Sequence, residues 1–435
     1  MDRRIFIRLS ALSATGMLLF KRAYSFSHER AVDVQAPGKK TRHILLRSGW
    51  QTENIGDIGH TPAMLALIEK YLPGTAATFW PWYSHLPDEE VEMLKKRFPA
   101  VRIVQGTLSS DGKASTPELQ AAIASADFFL HNSGPATIAW ENAATFKKIT
   151  GKPFGVFGVT YGLYGTPETA TLSEAAFVYF RDSVSLKKAQ DAGVRPPVVK
   201  FMPDAVFSID VTNDEKALTF LKANALEEGN FLCCIPHHRY TPVWLHKAKN
   251  KPFDAVRHAR NEEMKENDHK PLRDAIIEVV RKTNHKILIC NEDETEQLPG
   301  KEWLYDKLPE DVKPKVVWLD RHWLTDEAIS VYKRSAGLFG NEMHSPIMCI
   351  AHGIPAIVCR WEEQSSKGYM WQDIGLKEWL FNFDNADEIK RFVPAVLKMA
   401  VDTKAAKQKA EEAQKRTAML HKEAMKEVEK ASRPV

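Results

Sequence analysis

Residues 340–355 read G-N-E-M-H-S-P-I-M-C-I-A-H-G-I-P, and they follow the apolar run Ala336 to Phe339. The order is strand, polar turn, short helix, strand. Ser345 offers a helix N-cap and Pro346 a first helical position, where a missing N–H costs nothing. Gly353 offers a helix end, and Ala356 to Cys359 a second apolar strand. A turn of this kind sets the imidazole of His344 just ahead of a helix N-terminus, where unpaired N–H groups and the helix dipole favour an anion. One βα unit therefore carries both the fold class and the first candidate for a site.

Working outward, the same unit recurs. Strands are expected at His43 to Arg47, Thr78 to Trp82, Val101 to Gln105, Phe128 to His131, Phe154 to Val159 and Phe177 to Phe180, with helices of about ten residues between them. The first helix is expected to start at Thr61 and Pro62, after a loop from Ser48 to His60, and Thr116 and Pro117 repeat that start. A second series has strands at Phe231 to Ile235, Lys286 to Cys290, Val316 to Leu319, Ala336 to Phe339 and Ala356 to Cys359. It is interrupted by a long polar insertion, Pro236 to Lys270, ahead of a helix Leu272 to Thr283. The strands are apolar throughout rather than alternating, which favours parallel sheets covered on both faces. The expected architecture is α/β: two Rossmann-like parallel-sheet domains, residues 42–208 and 209–401, facing across a cleft. A charged helix, 402–435, rich in Ala, Lys and Glu, follows them.

The 435 residues, 44% hydrophobic, suffice for two cores, and the net charge of +4 is spread without a basic stripe, which argues against a nucleic-acid partner. Residues 1–27 begin M-D-R-R-I-F-I-R and continue into an apolar run too short to span a bilayer. They read as a twin-arginine export signal that implies the periplasm or cell envelope, with membrane attachment only if the signal stays uncleaved. Residues 28–41 read as a linker. The five cysteines all lie in apolar stretches without a C-x-x-C pair and are expected to be buried thiols.

Ligands of open α/β sheets bind at the carboxyl ends of the strands, and the candidate residues fall there. Asn54 and Asp57 offer an amide and a carboxylate to hydroxyls, and Gly56 lets a ligand approach the backbone. Ser133, Gly134 and Pro135 form a second such loop. Arg181 follows a strand and offers a forked donor to phosphate or carboxylate, with Ser185 in the next helix turn. His237, His238 and Arg239 end another strand, but adjacent histidines are poorly placed to share a metal and no zinc spacing occurs, so no metal is expected. Lys367 stands ready for an anion. P-loop, G-x-S-x-G and H-E-x-x-H motifs are absent from the sequence.

Together these pieces resemble the polysaccharide pyruvyl transferase family. The resemblance rests on N-x-G-D (Asn54, Gly56, Asp57), R-D-x-x-S (Arg181, Asp182, Ser185), P-D-A-V-F (Pro203 to Phe207), M-H-S-x-I-x-x-I-A-x-G-I-P (Met343 to Pro355), and Lys367 leading into D-I-G-L (Asp373 to Leu376). It implies a GT-B-like fold whose last helix crosses back to the first domain. The implied chemistry is transfer of an enolpyruvyl unit from phosphoenolpyruvate to two sugar hydroxyls as a cyclic ketal, with no further cofactor. His344 would then be acid and base. Arg181, Lys367 and the helix after Ser345 would hold phosphate and carboxylate, and Asp57 would orient an acceptor hydroxyl. Where the family has R-x-H, this chain has Glu342, so Arg239, Arg321 or Arg360 would have to supply the missing charge. Two other readings stand beside this one. In the first, a GT-B-like glycosyltransferase uses Glu342 on the ribose hydroxyls of a nucleotide sugar. In the second, an exported glycan-binding relative has no donor site. In any of the three, Trp80, Trp82, Tyr83, Tyr161, Tyr164 and Trp361 are available to stack on sugars.

Overall fold

The structure, a computed structural model, describes residues 41–49, 52–82, 86–246 and 249–434. The export signal, nearly all of the linker and Tyr83 lie outside the described residues. Seven strands form the first sheet: β1 His43–Ser48, β2 Ala76–Pro81, β3 Arg102–Ile103, β4 Phe128–Gly134, β5 Phe154–Val159, β6 Val178–Phe180 and β7 Val199–Phe201. Six form the second: β8 Phe231–Ile235, β9 Lys286–Ile289, β10 Val316–Trp318, β11 Gly337–Gly340, β12 Ala356–Arg360 and β13 Leu380–Asn382. Every pairing is parallel. The orders are β3-β2-β1-β4-β5-β6-β7 and β10-β9-β8-β11-β12-β13, so the strand order of each sheet reverses once, between β1 and β4 and between β8 and β11. Strands β7 and β13 were not foreseen. Each has three residues, too few to show a pattern.

The unbroken apolar strands have the expected cause. In β1, Ile44 and Leu46 pack into the main core and Leu45 into a second cluster on the opposite face. Phe128, Leu130 and Phe129 divide in the same way in β4. All five cysteines are free and buried.

Three helix starts differ from expectation. The first helix is Ile55–Tyr71, with Thr61 and Pro62 inside it. The Asn54 side chain accepts from the N–H groups of Gly56 and Asp57, and this cap starts the helix nearly two turns earlier. Half of the polar insertion is helical, in the helix Ala255–Lys282 with Pro271 inside it. Its first turns are largely exposed, so no apolar period marked them. The third case, at His344, belongs to the site. The last helix, Thr403–Ala431, ties the two sheets together. His421 Nε2 meets the Pro203 carbonyl at 3.1 Å, its Nδ1 meets Ser208 Oγ at 2.6 Å, and Gln414 Nε2 donates to the Ala351 carbonyl at 2.6 Å. No helix among the described residues is long and apolar enough to cross a membrane.

Buried histidines make the fold acid-sensitive. Burial, aided by the Arg47 charge, lowers His131 to about 3, and burial lowers His421 to about 4. Above the ordinary value of about 6.5 these rings are neutral whether folded or not and contribute no pH dependence. Below it the unfolded chain takes up protons that the folded chain refuses, so each ring costs about 1.4 kcal/mol of stability per pH unit until its folded value is reached. Urea unfolding at pH 7, 6 and 5 is expected to show this decline, and His131→Gln is expected to flatten it. An unchanged slope in the variant would remove His131 from the account.

Candidate active site

Both chain reversals place their loops on one cavity of about 280 Å³, lined by Asn54, Asp57, Pro135, Arg181, His237, Lys249, Asp293, Glu342, His344, Ser365 and Lys367 among others. Asn54 and Asp57 follow β1, Pro135 follows β4, His237 follows β8, and Glu342 and His344 follow β11. These are the carboxyl ends beside the two reversals, where open α/β sheets bind ligands. The halves are stitched together at this level. Ile55 N–H donates to the Glu292 carbonyl (3.0 Å), Glu294 N–H to the Glu53 carbonyl (3.1 Å), and Thr325 Oγ1 to the Ile55 carbonyl (2.7 Å).

His344 is the first residue of its helix, His344–Ala351, and Ser345 is not the cap. The carboxylate of Glu292, after β9, takes that role: Oε2 accepts from Ser345 N–H at 2.5 Å, and Oε1 meets His344 Nδ1 at 3.0 Å. An internal anion thus occupies the helix N-terminus expected to hold the donor phosphate. Ser345 Oγ instead accepts from the Tyr332 hydroxyl at 3.1 Å. Bonding to Glu292 fixes His344 with Nδ1–H toward the carboxylate, and Nε2 has no protein partner. The His60 ring lies edge-on to it, with centroids 5.0 Å apart. Gly56 sits directly against it: a Cβ there would stand 2.2 Å from His344 Cβ, so Gly56 serves this packing rather than ligand approach. Burial raises the pKa of Asp57, with the His344 and Lys367 charges opposing.

Arg181 is held from behind. Its Nε donates to Thr160 Oγ1 (2.8 Å) and its Nη1 to Asp204 Oδ2 (3.0 Å), both deep in the protein. Burial would raise Asp204, but His60, Arg181 and His344 beside it, with the Val206 N–H, hold it well below the carboxylate range. Ser133, in the left-handed region at φ 53°, adds a hydrogen bond to Asp204 Oδ1 (3.2 Å).

Glu342 does not face the cavity as a bare charge. Its Oε1 is 2.9 Å from His237 Nδ1, and Oε2 accepts from Met343 N–H at 3.0 Å with Lys367 Nζ at 4.0 Å. Burial opposes its ionisation, yet the His237 and Lys367 charges hold its pKa well below the ordinary value. Glu296 lies 2.8 Å from the same His237 Nδ1, and burial together with the Glu342 charge pushes it well up.

Two expected residues lie elsewhere. Arg239 cannot supply the missing positive charge, because Asp268, Glu363 and Asp384 already surround its guanidinium at 2.7–3.0 Å. Ser185 is outside the cavity lining, with its hydroxyl on Asp182 Oδ2 (2.8 Å) and near Ser366 Oγ (3.0 Å). Trp80 and Trp361 are fully buried and offer no sugar platform. Sequence reasoning missed His60, Asp204, Glu292 and Glu296. Asp204 was visible inside P-D-A-V-F, but nothing in the sequence paired it with Arg181.

Comparisons with known proteins bear on the fold and the family. No curated protein matches the chain. Solved structures share the fold at low identity. A glycosyltransferase from Rickettsia africae is 12% identical with TM-score 0.54, matched over 90% of this chain and 98% of its own. The MnaA–UDP complex of S. aureus is 10% identical with TM-score 0.53, over 88% and 95%. The UDP-GlcNAc 2-epimerase of Neisseria meningitidis bound to UDP-GlcNAc is 11% identical with TM-score 0.52, over 89% and 100%. These likenesses give a GT-B-like arrangement of two parallel-sheet α/β domains. The family profile described as polysaccharide pyruvyl transferase matches residues 84–363, which include Arg181, Asp204, Glu292, Glu342 and His344. With more than half of its length matched, the chain belongs to the polysaccharide pyruvyl transferase family.

Proposed function

We propose that the protein transfers a pyruvyl group from phosphoenolpyruvate to two hydroxyls of one sugar in a cell-surface or exported polysaccharide, as a cyclic ketal. The observation that carries this reading is His344, fixed by Glu292 at Nδ1 and bare at Nε2, in a cavity that also presents Arg181, Lys249 and Lys367. The cavity, about 280 Å³, has room for a three-carbon phosphorylated donor beside these residues.

In its protonated form, His344 gives a proton to the donor's methylene carbon, and the double-bond electrons become the new C–H bond. The adjacent carbon becomes an oxocarbenium-like centre, and the first sugar hydroxyl adds to it while Asp57 takes the hydroxyl proton. The carbon–oxygen bond to phosphate then breaks, its electron pair leaving on phosphate, which takes the proton from Asp57. A second hydroxyl closes the ketal and returns its proton to His344. Arg181 and Lys367 hold the donor's carboxylate and phosphate charges in place as they redistribute.

The expected location is the cell envelope, by way of the twin-arginine segment. An exported enzyme is separated from a cytoplasmic metabolite, which makes the donor the point to test. Calorimetric titration with phosphoenolpyruvate is expected to show saturable binding that weakens in Arg181→Ala. Binding of UDP-sugars without phosphoenolpyruvate would replace this reading with glycosyl transfer.

A further inference from the structure

We propose that His237, Glu296 and Glu342 bind a divalent first-row transition-metal cation, of the Mn²⁺ to Zn²⁺ class, in the wall of the cavity. The sequence carried no metal spacing because the three ligands come from three separate segments, after β8, after β9 and after β11. One donor atom from each lies within 4.8 Å of the other two, and all three residues are buried. Nδ1 of His237 stands 2.8 Å from Glu296 Oε1 and 2.9 Å from Glu342 Oε1. Donor atoms about 2.0–2.2 Å from a cation and at right angles to each other stand about 2.8–3.1 Å apart, so these distances suit adjacent positions on one ion.

The outer atoms of the ligands are anchored, as they are around built metal sites. Glu296 Oε2 accepts from Glu292 N–H (2.7 Å) and Asp293 N–H (3.2 Å), and Glu342 Oε2 accepts from Met343 N–H, which turns both Oε1 atoms toward His237. The His237 ring lies parallel to Trp361, 8° between planes, which fixes its tilt. No arginine or lysine pairs with Glu296 among the described residues, and the lysine beside Glu342, Lys367, stands 4.0 Å from its outer oxygen. Two carboxylates and one imidazole suit such an ion, and because His237 and Glu342 line the cavity, its remaining positions face whatever the cavity holds. Metal binding here is independent of the reaction. That the ion contributes positive charge toward an anionic donor rests on the pyruvyl-transfer reading.

The test uses untagged full-length protein, dialysed against a chelator and titrated with Mn²⁺ while free Mn²⁺ is read by electron paramagnetic resonance. One saturable equivalent is expected in the wild type, with affinity lowered at least about tenfold in Glu296→Gln and in Glu342→Gln. The wild-type titration needs no variant to fold: absence of a saturable site overturns the proposal, as does an affinity that neither substitution moves. Phosphoenolpyruvate titration with and without Mn²⁺ separates the two ideas. Mn²⁺ binding without any donor binding leaves the metal site standing and removes the pyruvyl-transfer reading. Donor binding without a Mn²⁺ site does the reverse.

Discussion

His344→Gln is expected to lower kcat for pyruvyl transfer by about 10²–10⁴-fold, the contribution of a positioned general acid, with phosphoenolpyruvate affinity changed only a few-fold. Glutamine keeps a hydrogen-bond donor toward Glu292, so the helix start should survive, but it has no nitrogen able to carry and release a proton where Nε2 stands. Single-turnover phosphate release, read beside calorimetric donor binding, separates chemistry from binding. A fall of less than tenfold would remove His344 as the proton donor. A matching loss of donor affinity would recast it as a binding residue.

Asp204→Ala is expected to cost about 3–5 kcal/mol of stability, the usual effect of leaving one partner of a buried ion pair uncompensated. Arg181 has two protein partners, Asp204 and Thr160, and both it and Asp204 are almost fully buried. Asp204 also accepts from Ser133 Oγ and Val206 N–H; Ser133 keeps Asn132 Oδ1 as an acceptor, but the Val206 N–H loses the carboxylate that it donates to. Urea unfolding measures the effect. A loss below about 1 kcal/mol would mean that Arg181 finds water or another acid, and that the pair is weaker than its burial implies. Because Arg181 lines the cavity, weakened phosphoenolpyruvate binding in the folded variant is the expected second consequence.

The fold was legible because its evidence is repetitive and local. Apolar strands such as Phe154–Val159, proline-led helices such as the one capped by Thr116, and the stretch around His344 each carry their own signal. What stayed hidden was either short or distant. Strands of three residues show no period, and the exposed first turns of Ala255–Lys282 looked like loop because no core-facing stripe marks them. The same contrast runs through the site. Asn54, Asp57, Arg181, His344 and Lys367 were found by their places at strand ends and Glu342 by its departure from R-x-H, and the structure gathers them on one cavity. Glu292 also follows a strand, β9, but nothing in the sequence paired it with His344. It lies 52 residues from His344, and its role as helix cap and imidazole partner arises only when β9 and β11 flank β8 in one sheet. Arg239 shows the converse. Its strand-end position resembled that of Arg181, but three acids from distant segments neutralise it.

The most direct test incubates the purified protein with phosphoenolpyruvate and the polysaccharide of its own cell envelope, following inorganic phosphate and the acceptor's mass together. The account predicts phosphate release matched one for one by pyruvyl ketal on the acceptor, with both lost in His344→Gln. Ketal-free phosphate release, or transfer of a sugar from a UDP-sugar under the same conditions with phosphoenolpyruvate inert, would contradict it.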